Sequence, residues 1–215
     1  QKKLVRRAKR ARIPVIIATQ MMETMIDNAV PTRAEVNDVA NSIIDGADAV
    51  MLSGETSVGK HPVRVIQKMA EIIKAVENSR MIKVPQEAPH IRTNRFITKA
   101  VCHHAALMAN DIDAAAISTL TRSGYTAFQI SSWRPQAKIL VFSPEKRILG
   151  KLNLLWGVKA FYYDTNLTTD QTVVDINNIS KDKGYVEQGD FMINLTSMPA
   201  KAQGMVNTLR VSEIE

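Results

Sequence analysis

Pro14-VIIATQMMETM-Ile26 and, five residues on, Pro31-TRAEVNDVANSIIDGADAVMLSGE-Thr56 decide the fold. An apolar run from Val15 to Ala18 ends at Thr19, and a second from Ala49 to Leu52 ends at Ser53. Short, almost wholly apolar runs of this kind read as strands buried on both faces. Between them, Thr32 to Asp45 has helical spacing, with Val36, Val39, Ala40, Ile43 and Ile44 on one face. The unit is strand–helix–strand, and each strand passes a hydroxyl to the loop that follows it. In parallel α/β folds the chemistry gathers at those carboxyl ends. Neighbouring strands lie roughly 4.8 Å apart, so Thr19 and Ser53 are expected to face one small substrate together.

Working outward, Gln1 to Arg12 is dense in Lys and Arg and has a thin apolar face of Leu4, Val5 and Ala8. It reads as a surface helix. From Pro62 to Glu77, the positions Val65, Ile66, Met69, Ile72, Ile73 and Val76 form a helical stripe. Periodicity then fails across Asn78 to Asn94, which holds Pro85 and Pro89.

A second alternation follows. Helices are expected at Phe96–Asn110, Thr126–Trp133, Pro144–Leu155 and Thr169–Gly184. Strands are expected at Ala114–Leu120, Lys138–Phe142, Val158–Tyr162, Phe191–Thr196 and Val206–Val211. The organisation is therefore residues 1–77, a linker at 78–92, and a second domain at 93–215. Five strands with several helices suffice for a three-layer α/β/α domain. Two strands leave edges with unpaired backbone groups, so residues 1–77 read as the tail of a larger domain.

The 215 residues carry a net charge of +7, which suits anionic ligands. No apolar run is long enough to span a membrane, and no signal peptide is read at the amino end. The one cysteine, Cys102, forms no internal disulfide, in keeping with a reducing cytoplasm. Cys102-His103-His104 are consecutive on a helix and point in different directions, so no metal site is expected there. The basic amino-terminal run lacks aromatic platforms and nucleic-acid motifs. A solvated helix face is the reading taken, with no nucleic-acid partner.

Ile17-ATQMMETM-Ile26, Pro31-TRAEVNDVAN-Ser42, Asp45-GADAVMLSGE-Thr56 and Gly59-KHP-Val63, in this order and spacing, closely resemble pyruvate kinases. Thr121-RSGYT-Ala127 and Asn207-TLR-Val211 extend the resemblance through the second domain. It implies the C-terminal fragment of a (β/α)8 TIM barrel, then an α/β/α domain with a mostly parallel five-stranded sheet. It also implies transfer of phosphate from phosphoenolpyruvate to ADP, giving pyruvate and ATP in glycolysis, assisted by Mg²⁺ and K⁺. By the resemblance, Thr19 hydrogen-bonds the enolpyruvate and Ser53 lies on the proton-donating side of the pocket. The phosphoryl-stabilising lysine and the metal ligands match nothing in this chain, so the fragment alone is expected to be inactive.

Glu55 is read as orienting groups near the pocket or capping the next helix, with the structural role preferred. Arg33 and Asp38 sit on a helix that lines a subunit contact in the family, and a homo-oligomer, a tetramer in the parent, is expected. The loop Thr121, Arg122, Ser123, Gly124, Tyr125 and Thr126 follows a buried strand and opens a helix. Its hydroxyls and amides suit a phosphate, and Gly124 permits a positive φ. In the family this loop cradles a phosphate of a sugar-phosphate activator. The tryptophan and arginine that bisphosphate-activated members place near a second phosphate are missing from Leu167 to Thr172. The Thr196–Met205 loop keeps Lys201 and Gly204 but not the glycine-rich form. A sugar- or nucleotide-monophosphate effector, or none, is therefore expected. The rival readings are a stand-alone phosphate-metabolite-binding module without catalysis and a basic nucleic-acid-binding protein.

Overall fold

The structure is a computed structural model that describes residues 1–11, 13–18, 20–79, 81–82, 95–165, 168–198 and 205–215. The chain divides into two units, Gln1–Val84 and Pro85–Glu215. Most of the linker read at 78–92 lies outside the described residues.

The first unit contains α1 (Lys2–Ala11), β1 (Ile16–Ile17), a 3-10 turn (Glu23–Ile26), α2 (Arg33–Ile44), β2 (Ala49–Val50), α3 (Gly54–Ser57) and α4 (Pro62–Asn78). β1 and β2 are parallel, with Ile16 opposite Ala49 and Ile17 opposite Val50. The expected strand–helix–strand unit is present, but each strand is two residues long rather than four. Neither strand is buried on both faces, and Ile16 is 44% exposed. The reason is one-sided cover. Met21, Met22, Met25, Val39, Val65 and Met69 form a core to which Ile17, Val50 and Leu52 contribute, and among the described residues of this unit nothing covers Ile16 in the same way.

The apolar stripe of α2 is also narrower than its spacing suggests. Val39 and Ile43 are buried, but Val36 is 37% exposed, while Glu35 and Ser42 are buried. Thr32 caps α2 through a capping box, its side chain accepting from the Glu35 amide at 3.3 Å. On α4, which opens on Pro62, Val65, Met69 and Val76 are buried and Ile66 is 56% exposed. α1 buries Val5 and leaves Leu4 in solvent.

The second unit contains α5 (Phe96–Asp111), β3 (Ala116–Leu120), α6 (Tyr125–Ser131), β4 (Lys138–Ser143), α7 (Lys146–Leu152), β5 (Val158–Tyr162), α8 (Thr169–Asp182), β6 (Phe191–Thr196) and β7 (Thr208–Glu213). The sheet order is β5-β4-β3-β6-β7. The first four strands are parallel and β7 is antiparallel on the edge beside β6. One face packs Cys102, Ala105 and Ala109 of α5, Ala127 and Ile130 of α6 and Leu152 of α7 against Ile117, Ile139, Val141 and Ile193. The other packs Ile176 of α8 against Leu140, Phe142 and Met192. This is the expected three-layer arrangement.

Two expected boundaries shift for visible reasons. The last strand starts at Thr208, not Val206, because Val206 is buried in the core and its carbonyl accepts from Thr98 Oγ1 at 3.0 Å. The helix expected from Pro144 starts at Lys146, because the Glu145 amide donates to Ser143 Oγ at 3.1 Å and ends the strand with a turn. From β3 the chain steps outward through β4 and β5, then crosses back to place β6 on the other side of β3. That reversal is a topological switch point, where open α/β sheets gather ligand-binding loops at the strands' carboxyl ends.

Candidate functional sites

In the first unit, Ser53 stands just beyond β2 and is exposed. Its carbonyl accepts from the amides of Thr56 at 3.2 Å and Ser57 at 3.0 Å, opening α3. Its hydroxyl bonds to no other described residue. Thr19, the other hydroxyl singled out in the sequence, lies outside the described residues.

Two buried carboxylates organise the loops around this point. Glu55 is 4% exposed. It accepts from the Ser53 amide at 2.8 Å and from the Met22 amide at 3.3 Å, joining the loop after β2 to the loop after β1. Burial pushes its carboxyl upward, but the donated N–H groups of Ser53, Glu55 itself and Met22 together outweigh burial, and the acid sits below its ordinary value. Gly59 lies so close to this turn that a Cβ there would be 2.3 Å from the Glu55 carbonyl oxygen.

Glu35, 7% exposed, accepts four hydrogen bonds. They come from the Thr24 amide at 2.7 Å, Thr24 Oγ1 at 2.5 Å, the Thr32 amide at 2.8 Å and Thr32 Oγ1 at 2.8 Å. Burial raises its carboxyl and the four donors more than offset this, so its net shift is also downward. The preferred reading of Glu55 as structural agrees with these bonds. Glu35 was missed, and its signal was the Thr32-x-x-Glu35 capping pattern just before an apolar helix. Arg33 and Asp38 are both exposed on α2 and form no ion pair with each other.

In the second unit, a cleft of about 290 Å³ opens at the switch point. Thr121, Arg122, Ser123, Tyr125 and Thr126 line one side, and Tyr163, Asp164, Thr165, Thr169 and Thr172 line the other. Gly124 has φ +76°, as its loop requires. The loop differs from expectation in one respect. The amides at the helix start already have acceptors within it: Gly124 donates to Thr121 Oγ1 at 3.0 Å and Tyr125 to Ser123 Oγ at 3.4 Å. The loop is thus pre-folded by its own hydroxyls. Each hydroxyl that accepts in this way keeps its own proton to donate to an anion.

Positive charge comes from Arg95, missed in the sequence, whose guanidinium lies 4.6 Å from the centre of the Tyr125 ring, and from Arg122, 3.9 Å from Glu145. The floor is polar. Ser118 Oγ donates to Asn194 Oδ1 at 2.6 Å, and Asn194 Nδ2 donates to Ser212 Oγ at 3.1 Å. On the α8 side, the Tyr163 hydroxyl donates to Asp175 at 2.6 Å. Burial, then this bond, raises the phenol above its ordinary value. Hydroxyl donors, two guanidinium groups and a polar floor make the cleft suited to a small phosphorylated ligand.

Cys102 is buried in the core, and the His103 ring lies 4.1 Å from the Trp133 ring. Burial, then the neighbouring His104, lowers the His103 pKa. Among the described residues, no three His, Cys, Asp or Glu side chains gather where they could hold a metal ion. In the basic helix, Lys2 pairs with Asp45 at 2.8 Å. No described helix is long and apolar enough to cross a membrane.

Comparison with known proteins bears on both units. The family model "Pyruvate kinase, barrel domain" matches residues 1–66, and "Pyruvate kinase, alpha/beta domain" matches residues 99–212. Pyruvate kinase 2 of Synechocystis is 37% identical over the whole chain, which covers 36% of that protein. A Clostridium acetobutylicum pyruvate kinase is 34% identical, again over the whole chain, which covers 46% of it. A crystal structure of a pyruvate kinase from Cryptosporidium parvum superposes with a TM-score of 0.81 at 28% identity, covering all of this chain and 42% of the other. The chain thus spans less than half the length of these relatives.

Proposed function

Because the chain belongs to the pyruvate kinase family, we propose that it is part of an enzyme transferring phosphate from phosphoenolpyruvate to ADP in the cytoplasm. Residues 1–77 supply the end of the catalytic barrel, 78–92 a linker, and 93–215 a regulatory domain. The observation that carries this reading is the exposed Ser53 hydroxyl at the carboxyl end of β2, with its loop tied through Glu55 to the loop after β1. A barrel places its chemistry at that end of its strands.

In this reading Thr19 donates a hydrogen bond to the enolpyruvate. Ser53 stands on the face from which the enolate carbon receives its proton. By the resemblance, the ligands of the family's Mg²⁺ and K⁺ match no residue of this chain, so they are assigned to segments outside it and no step is drawn through them. The fragment alone makes no pyruvate.

The second unit binds an effector monophosphate in its cleft, with Thr121, Ser123, Arg122 and Arg95 as donors and Thr126 and Tyr125 shaping the wall. Arg33 and Asp38 on α2, and the edge strand β7, face neighbouring subunits of a homotetramer. Solvent exchange of the pyruvate methyl protons tests the Ser53 role, since that exchange is the proton-transfer half of the reaction run backward. In the longer protein containing this chain, Ser53→Ala should slow exchange more than phosphoryl transfer. Equal rates with and without the hydroxyl would remove Ser53 from the site.

A further inference from the structure

We propose that Glu35 and Glu55 are positioning residues, buried carboxylates that grip backbone amides: Glu55 fixes the loops after β1 and β2 against each other, and Glu35 fixes the loop after β1 against the start of α2. The inference rests on the reading that these loops carry the enolpyruvate site. Glu55 bonds the Met22 amide on one loop and the Ser53 amide on the other. Glu35 bonds Thr24 on the loop after β1 and Thr32 at the start of α2, in each case through amide and hydroxyl together.

Neither carboxylate has a cation partner among the described residues. A buried, unpaired charge is costly and persists where hydrogen bonds compensate it. Anchoring alone does not call for such groups, because Met21, Met22 and Met25 already seat the same loop in the core. Apolar contacts are non-directional, whereas a carboxylate oxygen fixes the direction of each donated N–H. The two acids therefore set the orientation of the loops as well as their attachment. A glutamine in either place keeps one acceptor oxygen and turns an NH2 group toward donors. Both acids lie below their ordinary pKa, so both are charged at neutral pH and the grip is present there.

Amide hydrogen exchange, read residue by residue at neutral pH on the longer protein that contains this chain, tests the proposal. In the unsubstituted protein the amides of Met22, Thr24, Thr32 and Ser53 should be protected. Fast exchange at all four would overturn the proposal without any variant having to fold. Glu55→Gln should speed exchange at Met22 and Ser53 at least about tenfold, and Glu35→Gln should do so at Thr24 and Thr32, the size expected for losing a charge-assisted bond. Met69 in α4 should stay unchanged. Unchanged amides, or acceleration spread evenly through α2 and α4, would contradict it.

In the longer protein, each substitution should lower kcat for pyruvate formation by roughly tenfold or more at a temperature where the variant is still fully folded, because misplacing reacting groups slows turnover. A normal kcat beside loosened loops would refute the positioning role where Ser53→Ala does slow the enzyme. Where Ser53→Ala is silent too, it is the placement of the site that is wrong.

Discussion

Replacing Gly124 with alanine should destabilise the second unit. Gly124 has φ +76°, and a Cβ there would lie 2.8 Å from Leu152 Cδ2 and 3.6 Å from Phe128 Cε2. Leu152 is fully buried in the main core and has little room to retreat. The left-handed backbone costs a residue with a Cβ about 1–2 kcal/mol. Forcing a methyl into a packed site costs roughly 1–3 kcal/mol more, so the loss should be about 2–5 kcal/mol. Gly150 provides the opposite case. It lies within α7, has no positive φ, and a Cβ added there meets nothing within 4 Å. Gly150→Ala should therefore stabilise by about 0.5–1 kcal/mol. The chain's two tryptophans, Trp133 and Trp156, both belong to the second unit. Their fluorescence during urea unfolding reports on that unit separately, which matters because a two-unit chain need not unfold in one step. A Gly124→Ala loss below about 0.5 kcal/mol, the range of ordinary surface changes, would refute the reasoning. So would the same sign for both substitutions.

Acid should weaken the first unit through Glu35 and Glu55. Both carboxyls are lowered in the folded state, so their stabilisation is full above the unfolded glutamate value of about 4.3 and fades as pH falls through the folded values. Circular dichroism during acid titration should show Glu35→Gln flattening this dependence, and an unaltered slope would count against the assignment. Thermal shifts of the second unit should be larger with a sugar monophosphate than with fructose 1,6-bisphosphate, and Ser123→Asp should abolish both; a larger bisphosphate shift would refute the single-phosphate cleft. Sedimentation at tens of micromolar should show self-association through residues 93–215, where β7 forms an edge with Val211 exposed; a strict monomer would contradict it.

The order of elements was legible because apolar runs and helical spacing are local signals. The three layers of the second unit followed from them, and the positive φ of Gly124 from the loop chemistry around it. What was not legible depended on partners distant in sequence. The periodicity of α2 marked Val36 as inward, but burial also requires something to pack against, and that side of the helix is exposed. Glu35 is charged and carried no expectation of burial, and the reading of Glu55 as a structural residue named no partner across the loops. Both are inside because amides from other loops converge on them. The Ser118–Asn194–Ser212 floor joins three strands, and Arg95 reaches the cleft from the start of α5. The self-bonded Thr121–Tyr125 loop was half visible, since its donors were named but not the acceptors they had already found.

Pyruvate formation from phosphoenolpyruvate and ADP tests the central claim most directly. It should be assayed with host-free preparations of this chain, of the longer protein that contains it, and of that protein carrying Thr19→Ala. The longer protein should turn over and the chain alone should not. Thr19→Ala should cut kcat/KM roughly ten- to 150-fold, the worth of one hydrogen bond to a charged substrate. Turnover by the isolated chain, or a longer protein indifferent to the loss of Thr19, would contradict the account.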